Sequence, residues 1–430
     1  MKKLAVIVFL FTMLFSLAWA GGFELYEFGA RSSALGGATV ARAWDASTIF
    51  YNPSGLAFLG GTRFYGGVTL ITATNIYAGP TLADGTALFA EETYESVDAI
   101  HTPIGIYFSH QFTDDLVAGI GVTNPFGLGL EWDKEEFPGR GVAFNSDLKS
   151  FYISPVVAYK ITDELSIGGG LDLVLGTVTL ERSVYPFAEE TPGVEVGRTK
   201  IDGSSELAVG FTASAMYQTE ELGLGFLYRH SVTNKLKDGD VSWEYFDTPF
   251  RTFAESNLNF KTVDTELTFP NFFSVGVYYR FLENMGAELD FMWYGWSVFD
   301  ELLFKFKNDA GDVVLEQTLP EDYEDSIQFR VGIHYDFSPE LQLRLGYIYD
   351  QTPQPVNSVS PLLPDNDRHD FSIGLGYTLN SMQFDVGYML VDFGERSTIE
   401  NGVGQSDVGF DGTYSSVAHL FFVSYGIVLD

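Results

Sequence analysis

The chain alternates apolar and polar or glycine residues with period two, in long runs that recur along most of its length. In the stretch FFSVGVYYRF, Phe273, Val275, Val277, Tyr279 and Phe281 face one way, and Ser274, Gly276, Tyr278 and Arg280 face the other. In SIQFRVGIHYDF, Phe329, Val331, Ile333, Tyr335 and Phe337 alternate with Gln328, Arg330, Gly332, His334 and Asp336. LQLRLGYIYD and HDFSIGLGYTL repeat the pattern. Side chains of a strand point alternately to its two faces, so each run has one apolar and one polar face. A soluble sandwich also alternates in this way. Here the aromatic members gather towards strand ends and the other face is rich in glycine, which suits lipid outside and a lumen inside.

Connection lengths set the topology. Tight turns fall at Thr113-Asp114-Asp115, Thr162-Asp163-Glu164, Thr219-Glu220-Glu221, Leu282-Glu283-Asn284, Ser338-Pro339-Glu340 and Asn380-Ser381. Longer polar loops are expected near 79–100, 132–146, 183–197, 237–260, 308–324, 351–367 and 396–411. Short and long connections alternate strictly, as they do where periplasmic turns are short and extracellular loops long. The count predicts an all-β, transmembrane antiparallel barrel of about fourteen strands over residues 62–430, with both ends periplasmic. Closure leaves no unpaired sheet edge in lipid.

The first twenty residues, MKKLAVIVFLFTMLFSLAWA, read as a signal peptide. Lys2 and Lys3 form the basic region, Leu4 to Leu17 the apolar region, and Ala18-Trp19-Ala20 a small-x-small cleavage site. The exported chain is then expected to begin at Gly21. With no cysteine, disulfides and thiolate metal sites are excluded. A net charge of −34 excludes nucleic acid as a partner, because phosphates need a basic surface.

Residues 21–61 do not alternate. They include WDASTIFYNPSGLAFLGG, which is small-residue-rich and carries an Asn-Pro-Ser-Gly turn. The set Phe23, Leu25, Phe28, Trp44, Ile49, Phe50 and Tyr51 gives the segment too much apolar surface for a disordered linker.

Taken in order, these stretches resemble the FadL/TodX-type outer-membrane transporters of long-chain fatty acids and aromatic hydrocarbons. The resemblance runs from GGFELYEFGARSSALGGATVARAWDASTIFYNPSGLAFL through NPFGLGLEW, TELTFPNFFSVGVYYRF and DQTPQPVNSVSPLLPDNDRHDFSIGLGY to GTYSSVAHLFFVSYG. It implies that residues 21–61 form a hatch folded into the lumen, with Asn52, Pro53 and Ser54 at the family's Asn-Pro-Ala turn. It implies that Phe23 reaches the ligand pocket. Asn124, Pro125, Phe126 and Gly127 interrupt the third strand, where proline cannot donate to a ladder and glycine weakens it; in the family such a kink opens a lateral hole to the membrane. Arg182 stands where family members bind the ligand carboxylate. Alternation gives it an inward position with Asp172, Val174 and Gly176, opposite Leu171, Leu173 and Leu175. A loop-base arginine paired with Glu181 or a lipid phosphate is the competing reading. Arg280, Arg330 and Arg344 also face inward and could be paired with lumenal acids.

The expected function is outer-membrane uptake of hydrophobic compounds, long-chain fatty acids first and hydrocarbons as the alternative. The expected partners are that hydrophobic small molecule, outer-membrane lipids and the barrel-assembly machinery, with the barrel a monomer. No catalytic residue, metal or cofactor is expected. An outer-membrane enzyme would need a nucleophile with a positioned base, and no G-x-S-x-G or H-E-x-x-H is present. The PDNDRHD cluster at 364–370 looks metal-like but matches a family loop. A general diffusion porin conflicts with a hatch. The sequence departs from the family in two places. The stretch before strand ten is acidic and supplies no second cation for a carboxylate, which turns the expectation towards neutral ligands. The chain also ends YGIVLD, without the usual terminal aromatic.

Overall fold

The computed structural model describes residues 22–80, 93–185 and 194–429. The expected signal peptide, Gly21, the tips of the first and third long loops, and Asp430 lie outside them. One antiparallel sheet forms fourteen strands, several of them interrupted. They are β1 (Thr62–Ala78), β2 (Thr93–Glu95, Ile100–His101 and Ile104–Gln111), β3 (Leu116–Thr123 and Gly127–Glu131), β4 (Asn145–Lys160) and β5 (Leu165–Val184). There follow β6 (Gly197–Ser204 and Ala208–Gln218), β7 (Leu222–Arg229 and Val232–Tyr245), β8 (Thr262–Phe269 and Phe272–Leu282) and β9 (Met285–Tyr294 and Glu301–Lys307). The last are β10 (Val313–Pro320 and Ser326–Asp336), β11 (Leu341–Asp350), β12 (Arg368–Leu379), β13 (Met382–Ser397) and β14 (Thr413–Leu429). The sheet closes where β1 pairs with β14, from Thr62 opposite Leu429 to Ala78 opposite Thr413.

Alternation sorts the side chains as lipid and lumen require. Along β8, Val275, Val277, Tyr279 and Phe281 are exposed on the outside, while Ser274 and Tyr278 are buried inside. All six short turns occur at the expected places. Two of the expected long loops are shorter than the sequence suggested. Residues 301–320 extend β9 and β10 as a hairpin, Glu301 opposite Pro320 and Lys307 opposite Val313, around a turn at 308–312. The polar run Lys307-Asn308-Asp309 marks the turn correctly, but the strand after it is largely exposed and so lacks a clear apolar face. Residues 237–245 likewise belong to β7. The register shifts between Leu236 and Gly239, and Asp238 takes a left-handed φ of 51°, so a bulge absorbs residues that read as a turn.

The N-terminal segment, residues 22–60, is bonded to inward-facing side chains all around the barrel. It contains short helices at Ala30–Ala34 and Thr48–Tyr51, and a 3-10 helix at Pro53–Phe58. Gly36 and Gly37, with φ of 62° and 67°, reverse the chain after the first helix. Asp290 accepts the amides of Thr39 (3.0 Å) and Val40 (3.2 Å), and Glu288 accepts that of Ala41 (2.5 Å). Gln218 takes Ala43 N–H, Ser424 takes Ala30 N–H, and Thr69 and Tyr107 donate to the carbonyls of Glu27 and Phe28. Arg344 pairs with Asp385 at 2.6 Å, as its inward position had suggested, and Arg31 of the segment lies 3.9 Å from the same carboxylate. Inward glycines make room for this backbone. A Cβ on Gly225 would stand 2.0 Å from Val40 O, and one on Gly105 2.1 Å from Phe28 O.

Asn52 holds the Asn-Pro-Ser turn to the wall. Its Nδ2 donates to Val40 O (2.7 Å) and Ala215 O (3.2 Å), and its Oδ1 accepts from Ser54 Oγ (2.5 Å). Pro53 opens the 3-10 helix at a position where its missing N–H costs nothing. Ser166 of β5 and Ser214 of β6 bond the backbone of Ser54.

Nearer the start of the segment, Glu24 is buried and accepts from Tyr294 Oη at 2.6 Å. Arg330, Asp350 and Arg368 are the charged groups around it. Burial pushes the Glu24 carboxyl up to about 8, outweighing Arg330 and the Tyr294 hydrogen bond. The seated segment therefore binds a proton that a freed segment releases near the ordinary value of 4.5. Seating is fully supported below about pH 4.5 and loses that support as pH rises through about 8. A spin label at Leu25→Cys, in a chain that has no cysteine of its own, is expected to become more mobile between pH 5 and pH 8.5. Glu24→Gln is expected to flatten that change; a pH response of the same size in the variant would show that Glu24 is not the proton acceptor.

Candidate functional site

Phe23 sits where three parts of the chain meet. Its ring packs edge-on against Trp296 (4.8 Å between centroids), Phe299 (5.6 Å), Phe126 (6.2 Å) and Phe269 (6.3 Å). Edge-to-face contacts of this kind contribute about 0.5–1.5 kcal/mol each beyond burial. Its backbone pairs with the interruption in β3: Gly127 N donates to Phe23 O at 3.0 Å, and Leu25 N to Pro125 O at 2.8 Å. The structure thus brings Phe23 together with Asn124–Gly127.

The interruption is a one-residue bulge. Thr123 opposes Tyr152 and Gly127 opposes Lys149, so three residues of β3 face two of β4. Pro125 has no amide to offer, and Asn124 bridges the break with its side chain. Its Nδ2 donates to Ser150 O (2.8 Å), and its Oδ1 accepts from Ile104 N (3.1 Å). Ser150 Oγ accepts Phe126 N–H at 2.8 Å. On the other side the β2–β3 ladder covers only Ile106 opposite Val122 to Gln111 opposite Val117. Beyond it β2 is itself broken at Thr102 and Pro103, and the two backbones pair again, among the described residues, where Val97 N donates to Glu131 O (2.7 Å) and Ser96 bridges Trp132. The His101 imidazole occupies the space left by the missing side chain of Gly129, where a Cβ would stand 2.1 Å from its Cε1.

Two cavities flank Phe23. The first, of about 110 Å³, is walled by Leu128, Leu148, Leu267, Phe269 and Phe299 among other apolar residues. Among the described residues Glu321 is the one ionisable member of its wall, and no lysine, arginine or histidine lines it. The second, of about 650 Å³, runs along the β2–β3 break and reaches Ile100 and Phe151 on the outer surface. Its basic residues are His101, Lys149 and Arg368; Lys149 is paired with Asp147 (2.7 Å) and Arg368 with Asp350 (2.5 Å). Phe23, Leu128, Leu148 and Leu363 belong to both walls.

The other sequence candidates lie elsewhere. Arg182 is on the inward face of β5, one alternation step beyond Leu180, and lines neither cavity. Its guanidinium donates to Gln317 Oε1 at 3.1 Å, and none of the ion pairs among the described residues includes it. The rival pairing with Glu181 does not form: Glu181 accepts from Asn145 instead. Asn52, Pro53 and Ser54 are against β5 and β6, away from both cavities. The PDNDRHD acids are engaged in hydrogen bonds. Asp365 accepts Gly22 N–H (2.6 Å) and Thr352 Oγ1 (2.6 Å), and Asp367 accepts Thr352 N–H and Tyr349 Oη (both 3.0 Å). Sequence reading missed Trp296, Asn234, Thr265 and Glu321. Alternation could have turned Asn234 inward, but nothing separates it there from any other polar lumenal residue.

Residues 11–427 match the family model described as outer membrane protein transport protein (OMPP1/FadL/TodX). A long-chain fatty acid transport protein of Salmonella typhi is 25% identical over 398 residues, covering 86% of this chain and 88% of the relative. The crystal structure of a Pseudomonas aeruginosa FadL homologue superposes with a TM-score of 0.82 at 20% identity, covering 95% of this chain and 100% of that one. The Pseudomonas putida toluene transporter TodX gives 0.70 at 17% identity, covering 94% and 99%. At these identities the two structures establish a shared barrel fold, and the family match does the rest: the chain belongs to the OMPP1/FadL/TodX transport proteins and is a β-barrel of the bacterial outer membrane.

Proposed function

We propose that this barrel takes up hydrophobic compounds through the smaller, apolar cavity, past Phe23, and out sideways between β2 and β3. In this reading residues 22–60 act as a hatch that keeps bulk solute out, and Phe23 is its movable tip. The observation that carries it is the double role of Phe23, which walls both cavities while its backbone caps the β3 bulge. An apolar solute loses little on leaving one cavity for the other and then for lipid, whereas a charged solute would have to shed its water.

Long-chain fatty acids are the first substrate class. The Salmonella relative is named for them, and Arg182 is an inward cation that a carboxylate could take over from Gln317 in a bidentate fork. Hydrocarbons are the second, favoured by a smaller cavity whose described lining holds no cation.

The bulge carries one surplus residue, so substitution within Asn124–Gly127 would leave it in place while removal of one residue would restore register. Deleting Pro125 is expected to seal the wall and to cut uptake of a radiolabelled fatty acid by cells at least about fivefold, a barrier change of about 1 kcal/mol. Heat-modifiable mobility on gels should show the same amount of folded barrel. Undiminished uptake by the sealed barrel would rule out sideways exit at this point. Arg182→Ala is expected to weaken palmitate binding by about 1.5–3 kcal/mol, the range for a hydrogen bond to a charged group, and to leave hexadecane binding unchanged. Calorimetry with both ligands checks this; equal losses would make Arg182 a structural residue.

A further inference from the structure

Two side chains of the smaller, apolar cavity carry a buried polar atom with no hydrogen-bond partner among the described residues. Asn234 of β7 is 5% exposed, and its Nδ2 has no partner. Thr265 of β8 is likewise buried at Oγ1 and unpartnered. The register sets Asn234 opposite Leu267 and Leu236 opposite Thr265, so the two are diagonal neighbours, and both line the cavity. Ser205 Oγ accepts Gly176 N–H at 2.8 Å and donates to Asn234 Oδ1 at 3.2 Å. The Asn234 NH₂ is left without an acceptor among the described residues, in a side chain that belongs to a wall otherwise rich in leucine and phenylalanine. Buried donors are normally paired, and an exception calls for a partner that the chain does not itself supply.

We propose that Asn234 and Thr265 form a head-group subsite for an uncharged oxygen, a hydroxyl or carbonyl carried on a hydrocarbon chain or ring. This rests on the reading of the cavity as a site for hydrophobic compounds. An ionised carboxylate suits it poorly, since the wall holds no cation and shares its space with the Glu321 carboxyl. A plain alkane fills the cavity but leaves both donors unpaired. A neutral oxygen satisfies them, Nδ2 donating to it and the Thr265 hydroxyl turning to donate or accept. The molecule held in this cavity is therefore a neutral amphiphile such as an alcohol, a ketone, an ester or a protonated acid.

The full-length barrel, purified and held in nanodiscs, would be titrated with 1-decanol and with decane by displacement of a fluorescent fatty acid. Asn234→Leu, which keeps the branching and removes the donor, is expected to weaken decanol about tenfold and to change decane less than twofold. Thr265→Val is expected to weaken decanol about threefold with the same indifference to decane. Retained decane binding shows that each variant is folded around an intact cavity. Equal losses for both ligands, or no loss of decanol in either variant, would overturn the subsite and leave the transport reading standing. If the unmodified barrel bound neither ligand, the reading of the cavity would fail, and the subsite with it.

Discussion

Hydrocarbon offers a peptide group nothing to bond, and this constraint organises the whole molecule. It explains why the strands close on themselves through β1 and β14. It also explains the chemistry at the interruption of β3. Where β3 bulges, a proline removes an amide, an asparagine and a serine replace ladder bonds with side chains, and two residues of the N-terminal segment supply the rest. A wall can be opened in lipid only if every group freed by the opening is bonded by something else. Three kinds of substitute meet at Asn124–Gly127.

The same accounting applies inside. The barrel must also bond the backbone of residues 22–60. It does so with carboxylates and hydroxyls projecting from the strands, Glu288, Asp290, Ser424 and Thr69 among them. Where the backbone comes closest, the strand carries glycine. The glycine-rich inward face in the sequence is therefore the imprint of the segment that lies against it.

Much of this was legible before any coordinates. Alternation in stretches such as 273–281 encodes which face meets lipid, because a one-residue slip would bury every polar side chain in hydrocarbon. The Asn-Pro-Phe-Gly break is legible because proline and glycine act on the backbone directly, whatever surrounds them. The cavities were not legible. Phe23, Leu128, Phe269, Phe299 and Asn234 come from the segment and from four separate strands or connections, and only closure brings them together. Arg182 shows the limit of alternation: period two gives its face and not its height, and it stands a step beyond the cavity it was expected to serve. The 301–320 hairpin was misread for the opposite reason, since a strand exposed on both sides has no face to reveal.

Most of the N-terminal segment is pinned by several side chains at once, so unseating it whole would strand buried carboxylates without partners. Its first residues are held differently. Gly22 to Leu25 make two backbone bonds to β3 and one side-chain bond each to Asp365 and Tyr294, with one ring in an aromatic nest. Local opening is cheapest where the fewest buried contacts must break together. Opening at this edge alone would free a short strip of backbone and one ring while the bonds that hold residues 30–58 stayed in place, so such a gap would be the width of a side chain and not of the lumen.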